Sequence, residues 1–297
     1  MIGLQIEGGA ISVRGGLPEK PPRITASGLG FATADPAVVR ALIRGGQITG
    51  STAGMCMDFQ QANLVVVPSS YADDFEVFSL RNTRACPLLE RSSPGSPCVQ
   101  IASGADIRTD VSRYRVFEYG EVKHEPHDVR SYWRDDSVAF LLGCSFGFEQ
   151  ALAGAGIPLR HLEAGRVVPM YVTSIDCTPA GVFAGPLVVT LRPIPEPLVA
   201  KAVELTGELP WSHGAPVHVG NETAIGIKDL GRPDFGDPPV FVRGDVPVFW
   251  ACGVTPALAL AVARPPYAIT HYPGHMFITD LPVEFDALVV SDESDNR

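Results

Sequence analysis

Charged side chains are scarce in this sequence, and basic ones are scarcer than acidic ones. Asp, Glu, Lys and Arg make up only 19% of the 297 residues, and the formal net charge is −10. Lys and Arg form no cluster, so we expect no nucleic-acid partner, because binding a polyphosphate backbone needs a basic patch. Apolar residues reach 45%, which excludes a disordered chain. The composition predicts a globular protein with a substantial core.

Closely spaced cysteine pairs are absent as well. The six cysteines are spread along the chain without a C-x-x-C pair, and we expect reduced thiols. One uncharged run, 246–263, has the length of a membrane span, but Pro247, Gly253 and Pro256 interrupt it. It predicts a strand, a turn and a helix, and we expect no membrane partner. No basic segment leads into a long apolar run at the N terminus, so we expect no signal peptide and a cytoplasmic location.

Strands and helices are expected to alternate along the chain. The spacing of apolar residues and the positions of Gly and Pro predict strands at 62–67, 138–142, 181–191 and 246–251, and helices at 37–44, 71–81, 146–155, 197–206 and 255–263. A hairpin is expected around Gly120. This alternation indicates an α/β protein. A change in composition predicts two parts, 1–136 and 137–297, in a two-part mixed α/β architecture whose pocket is built largely by the C-terminal half.

The sharpest local pattern is the G-x-S-x-G sequence at 143–147, between a predicted strand and a predicted helix. This context suits a nucleophile elbow with Ser145 as the nucleophile. The acid and the histidine that complete such a triad have two candidates each: Asp229 or Asp237, and His271 or His275. A turn that only packs a helix onto a strand is a second interpretation. In a third, Gly143 to Ser145 present backbone N–H groups to a carboxylate or an oxyanion.

Histidines and arginines supply the other candidates for chemistry. Four histidines lie in two short segments, at His213, His218, His271 and His275. Gly and Pro inside both spacers prevent the single helical face of an H-E-x-x-H zinc site, so proton transfer is favoured over metal binding, and we expect no metal. Purely structural hydrogen bonding of the histidines stays open as an alternative, and so does a zinc site of another geometry. Three arginines suit a carboxylate clamp or an ion pair to Glu163, Asp234 or Asp237, namely Arg166, Arg192 and Arg232. Cys144 and Cys252 follow apolar runs, where a helix N-terminus activates some thiols and burial leaves most inert.

Longer segments in the same order resemble a known family. They include FLLGCSFGFE (140–149), CTPAGVFAGP (177–186), VPVFWACGVTP (246–256) and ITHYPGHM (269–276). These segments are similar to those of the D-glutamate cyclase family, whose members also carry the name hydro-lyase, and the similarity spans 37–280. It implies a two-part α/β fold and reversible cyclisation of D-glutamate to 5-oxo-D-proline with loss of water. Residues 51–60 differ from the family pattern, which leaves the substrate open.

The reaction that this resemblance implies needs a base, an acid, an oxyanion cradle and a clamp for the second carboxylate. The candidates are His213 or His218 as base, oriented by Asp234 or Asp237, His275 as acid, Gly143 to Ser145 as cradle, and Arg166 or Arg192 as clamp. A variant route has Cys144 attack the γ-carboxyl to give a thioester. We therefore expect a lyase without a cofactor that acts on a small carboxylate. A hydrolase or dehydratase of another carboxylate, a metabolite-binding protein and a homo-oligomer stay open.

Overall fold

Two antiparallel sheets form the framework of the protein. The structure, a computed structural model, describes residues 30–283 in full and, before them, the backbone of Gly3–Glu7 and Ala10–Arg14. These two short segments are strands β1 and β2, which pair with each other. The larger sheets and their helices make the fold mixed α/β, which confirms the predicted class. All six cysteines are free thiols, as predicted.

The first layer is a seven-stranded sheet. Its strands are β3 (Phe59–Pro68), β4 (Leu88–Arg91), β5 (Tyr114–Glu118), β6 (Glu121–His124), β7 (Ser137–Gly143), β12 (Ala268–His271) and β13 (Phe277–Pro282). Strand β3 is buried along almost its whole length, because β7 pairs with one edge while β12 and β13 pair with the other. The hairpin at Gly120 joins β5 to β6, as predicted. This sheet takes strands from both sides of residue 136, and the division into 1–136 and 137–297 stays a prediction.

The second layer is a four-stranded sheet in the order β10, β11, β9, β8. These strands are β8 (Met170–Asp176), β9 (Pro186–Pro195), β10 (His218–Val219) and β11 (Asp245–Ala251). Apolar side chains from both layers form one buried cluster, which includes Val65, Phe140, Leu191 and Phe249. Removing this apolar surface from water is the main term that holds the two sheets together.

Six α-helices cover the sheets in the described part of the chain. They are α1 (Pro36–Arg44), α2 (Ser69–Arg81), α3 (Phe146–Gly154), α4 (Arg160–Glu163), α5 (Val199–Gly207) and α6 (Thr255–Ala263). Helix α1 begins where the sequence predicts, because the Asp35 carboxylate accepts the Ala37 N–H over 2.8 Å. The run 246–263 folds into β11, a turn and α6, as predicted. None of the described helices is long and apolar enough to cross a membrane.

Candidate functional site

Two strand-to-helix turns meet at the side chain of Asn63 on β3. The first turn leads from β7 to α3, and Asn63 Nδ2 donates to the Gly143 carbonyl oxygen over 2.7 Å. The second leads from β11 to α6, and a Cβ on Gly253 would lie 2.5 Å from Asn63 Nδ2. That separation leaves no room for a side chain at Gly253. Gly253 therefore lets the start of α6 approach the same buried amide that donates to the Gly143 carbonyl oxygen.

Each of these turns presents the N-terminal end of a nine-residue helix. Neither α3 nor α6, both described in full, has a side-chain cap at its start. The first turn of a helix carries N–H groups without partners inside the helix, together with partial positive charge. The Gly143 N–H already donates to the Pro87 carbonyl oxygen, and the N–H groups of residues 254 and 255 donate to Cys252. The N–H groups of Cys144 and Ser145, at the start of α3, therefore suit an anion or a developing oxyanion, which is part of the role predicted for the turn from Gly143 to Ser145.

A cysteine lies in each turn, and burial keeps both thiols protonated. Burial raises the pKa of Cys144 to about 12, even though the Phe146 N–H hydrogen-bonds to its sulfur. Burial likewise raises the pKa of Cys252 to about 11. A thiolate is the nucleophilic form, so these environments favour inert thiols over the thioester route.

A buried ion pair attaches α3 to the second sheet. Arg192 on β9 donates to Glu149 Oε1 through Nε and Nη2, and its Nη1 donates to Thr190 Oγ1 over 2.8 Å. His161 Nε2 lies 3.2 Å from the same oxygen of Glu149. Burial alone would raise the pKa of Glu149, but the neighbouring Arg192 and His161 hold it at about 2. Because Arg192 is buried and already bound to Glu149, the geometry argues against its predicted role as the substrate clamp.

A loop between β12 and β13 reaches the same place from a third direction. Thr270 pairs with Val65, whereas Phe277 pairs with Ala62, so the intervening residues leave the sheet opposite Asn63. Within this loop, the N–H of Tyr272 donates over 2.8 Å to the carbonyl oxygen of Arg113, the residue just before the neighbouring strand β5. We define the candidate site as Asn63, the turns at 143–145 and 252–254, and the loop at 272–276.

His275, at the end of this loop, has one ring nitrogen that bonds to none of the residues described by the structure. Its Nδ1 lies 2.9 Å from Ser112 Oγ, which donates its own proton to the Gly50 carbonyl oxygen. Nδ1 must therefore carry the proton in this contact, which leaves the lone pair on Nε2. Burial, and then the nearby guanidinium of Arg113, lower the pKa of His275 to about 4. At neutral pH the ring is therefore neutral, whereas the predicted role of His275 as an acid needs a protonated ring.

His213 and His271 are also buried, and both hydrogen-bond to the backbone. The Nδ1 of His213 lies 2.6 Å from the Arg84 carbonyl oxygen, and burial lowers the pKa of this ring to about 4. The Leu64 N–H donates to His271 Nδ1 over 3.1 Å, and burial lowers the pKa of His271 to about 4 as well. His271 and His275 thus have other partners. In the described structure, Ser145 has no hydrogen bond to either of these two histidines of the predicted triad.

His218 and its two predicted acidic partners lie at opposite edges of the second sheet. His218 is on β10, where Nε2 donates to the Asn221 carbonyl oxygen over 2.7 Å. The carboxylates of Asp234 and Asp237 accept the N–H groups of residues 172 and 167, at and just before the far strand β8. Three strand spacings, roughly 14 Å, separate β10 from β8. The structure therefore does not support the orientation of His218 by either acid.

The remaining predicted residues lie outside the candidate site. Arg166 is exposed and donates to the Pro238 carbonyl oxygen over 2.9 Å, and Arg232 is also exposed. The clamp role of Arg166 and Arg232 therefore stays a prediction. In the portion of the chain that the structure describes, no three His, Cys, Asp or Glu side chains gather where they could hold a metal ion.

Sequence analysis missed two arginines beside the candidate site. The guanidinium carbons of Arg113 and Arg115 lie 4.4 and 4.6 Å from the centroid of the Tyr272 ring. The available signal was their spacing of two residues beside the predicted hairpin around Gly120, because residues two apart in extended backbone point to one face. That face could not be assigned to the site, because Tyr272 comes from a distant part of the sequence.

Comparison with known proteins identifies the family. The family model described as D-glutamate cyclase matches residues 138–280, which contain both turns and the 272–276 loop. "Putative hydro-lyase YcsI" of Bacillus subtilis is 52% identical, over 83% of this chain and 96% of its own. A protein of Rubrobacter xylanophilus with the same hydro-lyase name is 55% identical, over 82% of this chain and 95% of its own. The chain belongs to the D-glutamate cyclase family. Membership in this D-glutamate cyclase family supports a hydro-lyase kind of function.

A solved structure gives much weaker similarity. A nitrogen repressor-like protein from Methanococcus jannaschii aligns with 80% of this chain and 90% of its own, at a TM-score of 0.36 and 10% identity. This similarity is too weak to assign a shared fold, and the D-glutamate cyclase family assignment rests on the sequence relatives.

Proposed function

We propose that the protein catalyses the reversible dehydrative cyclisation of a small amino-dicarboxylate, with D-glutamate and 5-oxo-D-proline as the reacting pair. The supporting observation is that three separate segments of the family match, 143–145, 252–254 and 272–276, converge on Asn63. They supply an anion cradle and a proton acceptor, which are the two features that this reaction needs most.

The reaction proceeds by attack of the α-amine on the γ-carboxyl carbon. The nitrogen loses two protons in total, one carboxyl oxygen gains both, and that oxygen departs as water. The negative charge of the tetrahedral intermediate develops on the other oxygen, which the N–H groups of Cys144 and Ser145 stabilise. His275 Nε2 takes a proton from the nitrogen and delivers it to the leaving oxygen. A ring that is neutral at rest is suited to this transfer.

Turnover tests this proposal directly. Purified protein is incubated with D-glutamate, L-glutamate and both 5-oxoprolines, and the gain or loss of one water is followed by mass spectrometry. We expect D-glutamate and 5-oxo-D-proline to interconvert. Absence of turnover in both directions for all four compounds would contradict the proposed cyclisation.

Replacement of His275 by glutamine is expected to lower kcat by about 10²–10⁴-fold, because the proposed proton transfer from the amine to the leaving oxygen loses its acceptor. Since the pKa of His275 is lowered to about 4, kcat/KM of the wild-type protein should not decline until the pH approaches that value. His124→Gln changes an exposed ring outside the site and serves as the matched control. Steady-state kinetics from pH 8 downwards checks both points. Wild-type turnover in His275→Gln would exclude this role.

A further inference from the structure

Two arginines beside the candidate site share one carboxylate. Arg113 Nη2 donates to Glu125 Oε2 over 2.9 Å, and Arg115 Nε donates to Glu125 Oε1 over 3.0 Å. Both guanidinium groups also lie against the Tyr272 ring. The aromatic ring and the shared acid therefore hold two cations together at the edge of the site.

This cluster retains positive charge and an unused donor. Glu125 offsets one of the two guanidinium charges, and Arg113 and Arg115 both help to lower the pKa of His275. The Nε atom of Arg113 is buried and has no hydrogen-bond partner among the residues that the structure describes. Buried polar groups normally have partners, so an orphaned guanidinium donor points to a ligand.

The cluster lies within reach of a small substrate held at the turns. Strand β12 separates β3 from β5, so Asn63 and Arg113 are roughly 10 Å apart across the sheet. Tyr272 links the two positions, and its ring centroid is 5.1 Å from that of His275. A chain with a net charge of −10 repels anions at long range, so a local excess of positive charge is needed to attract them.

We propose that Arg113, supported by Arg115, binds the carboxylate of the substrate that does not react. This inference rests on the proposed function and deepens it by naming the group that recognises the α-carboxylate. The Nε and Nη donors of Arg113 form a fork that matches the two oxygens of a carboxylate. The Tyr272 ring packs against the guanidinium and holds it in place, while Glu125 offsets part of the positive charge of the two arginines.

Calorimetric binding of two ligands tests this inference without requiring turnover. The ligands are 5-oxo-D-proline and 2-pyrrolidinone, which has the same ring but no carboxylate. We expect Arg113→Gln to weaken binding of 5-oxo-D-proline by about tenfold or more and to leave 2-pyrrolidinone unchanged. Arg113→Lys should bind with intermediate affinity, because it keeps the charge and loses the fork. Arg130→Gln removes an exposed arginine that pairs only locally with Asp128 and serves as the control.

The outcomes separate this inference from the proposed reaction. Equal affinity of wild-type protein and Arg113→Gln for 5-oxo-D-proline, or no binding by wild-type protein, overturns the carboxylate site. Carboxylate-dependent binding without turnover supports the site and contradicts the cyclisation. Where turnover is present, a higher KM in Arg113→Gln with a smaller change in kcat supports the site, and an unchanged KM overturns it. An unaltered thermal unfolding curve shows that the variant is folded.

Discussion

Glu149→Gln is expected to lower the free energy of unfolding by about 3–5 kcal/mol, because it leaves the guanidinium of Arg192 buried without a countercharge. Helix α3 loses its main polar attachment to β9, so turnover should fall as well. Urea unfolding measures the change in stability. Glu163→Gln removes an exposed partner of Arg160 and should cost less than about 1 kcal/mol. Equal stability of the two variants would show that the buried pair does not hold α3 in place.

The ion pair of Glu149 and Arg192 also predicts how the free energy of unfolding depends on pH. The pKa of Glu149 is about 2 in the folded protein, against a reference value of 4.5. Its contribution is therefore fully present above pH 4.5 and is lost as the pH falls towards 2, because the unfolded chain binds a proton first. In Glu149→Gln, this part of the pH dependence should be absent. Unfolding measured at a series of pH values in this window checks the sign and the range.

Gly143→Ala is expected to lower kcat by about 100-fold or more, because it displaces the turn that forms the oxyanion cradle. A Cβ at this position would overlap the carbonyl oxygen of Trp211, and backbone cannot move aside as a side chain can. We also expect lower stability in urea unfolding.

Gly154→Ala in the last turn of α3 is the matched control for this change. Apart from its chain neighbours and the backbone of α3 itself, none of the described residues has an atom within 4 Å of the added Cβ, so the variant should keep its activity. Its stability should stay the same or rise by up to about 1 kcal/mol. Normal activity in Gly143→Ala would contradict the placement of the cradle.

Local sequence signals predicted the elements of this fold better than their pairing. Helix α6 occupies 255–263 as predicted, because a proline starts it and a continuous apolar run defines its length. Strand β7 and the Gly120 hairpin also follow from local patterns. The return of β12 and β13 to β3 could not be predicted, because pairing between residues near 62 and 277 leaves no periodic signal in either segment.

The candidate site was predictable in part for the same reason. The turn at 143–145 has a local signature, and the structure places it at the start of a helix without a side-chain cap. The proximity of Asn63, Arg113 and Tyr272 depends on strand order, which single-residue patterns do not contain. Arg192 was predicted to bind a carboxylate because it ends an apolar strand. Its actual partner, Glu149, lies on a helix that is distant in sequence, so this pairing could not be predicted.

A crystal structure with 5-oxo-D-proline bound tests the location of the site most directly. We predict that the ring carbonyl oxygen lies about 3 Å from the backbone N–H groups of Cys144 and Ser145. The carboxylate should then contact the guanidinium of Arg113. A ligand bound instead at the edge of β8, beside Asp234 and Asp237, would contradict this account.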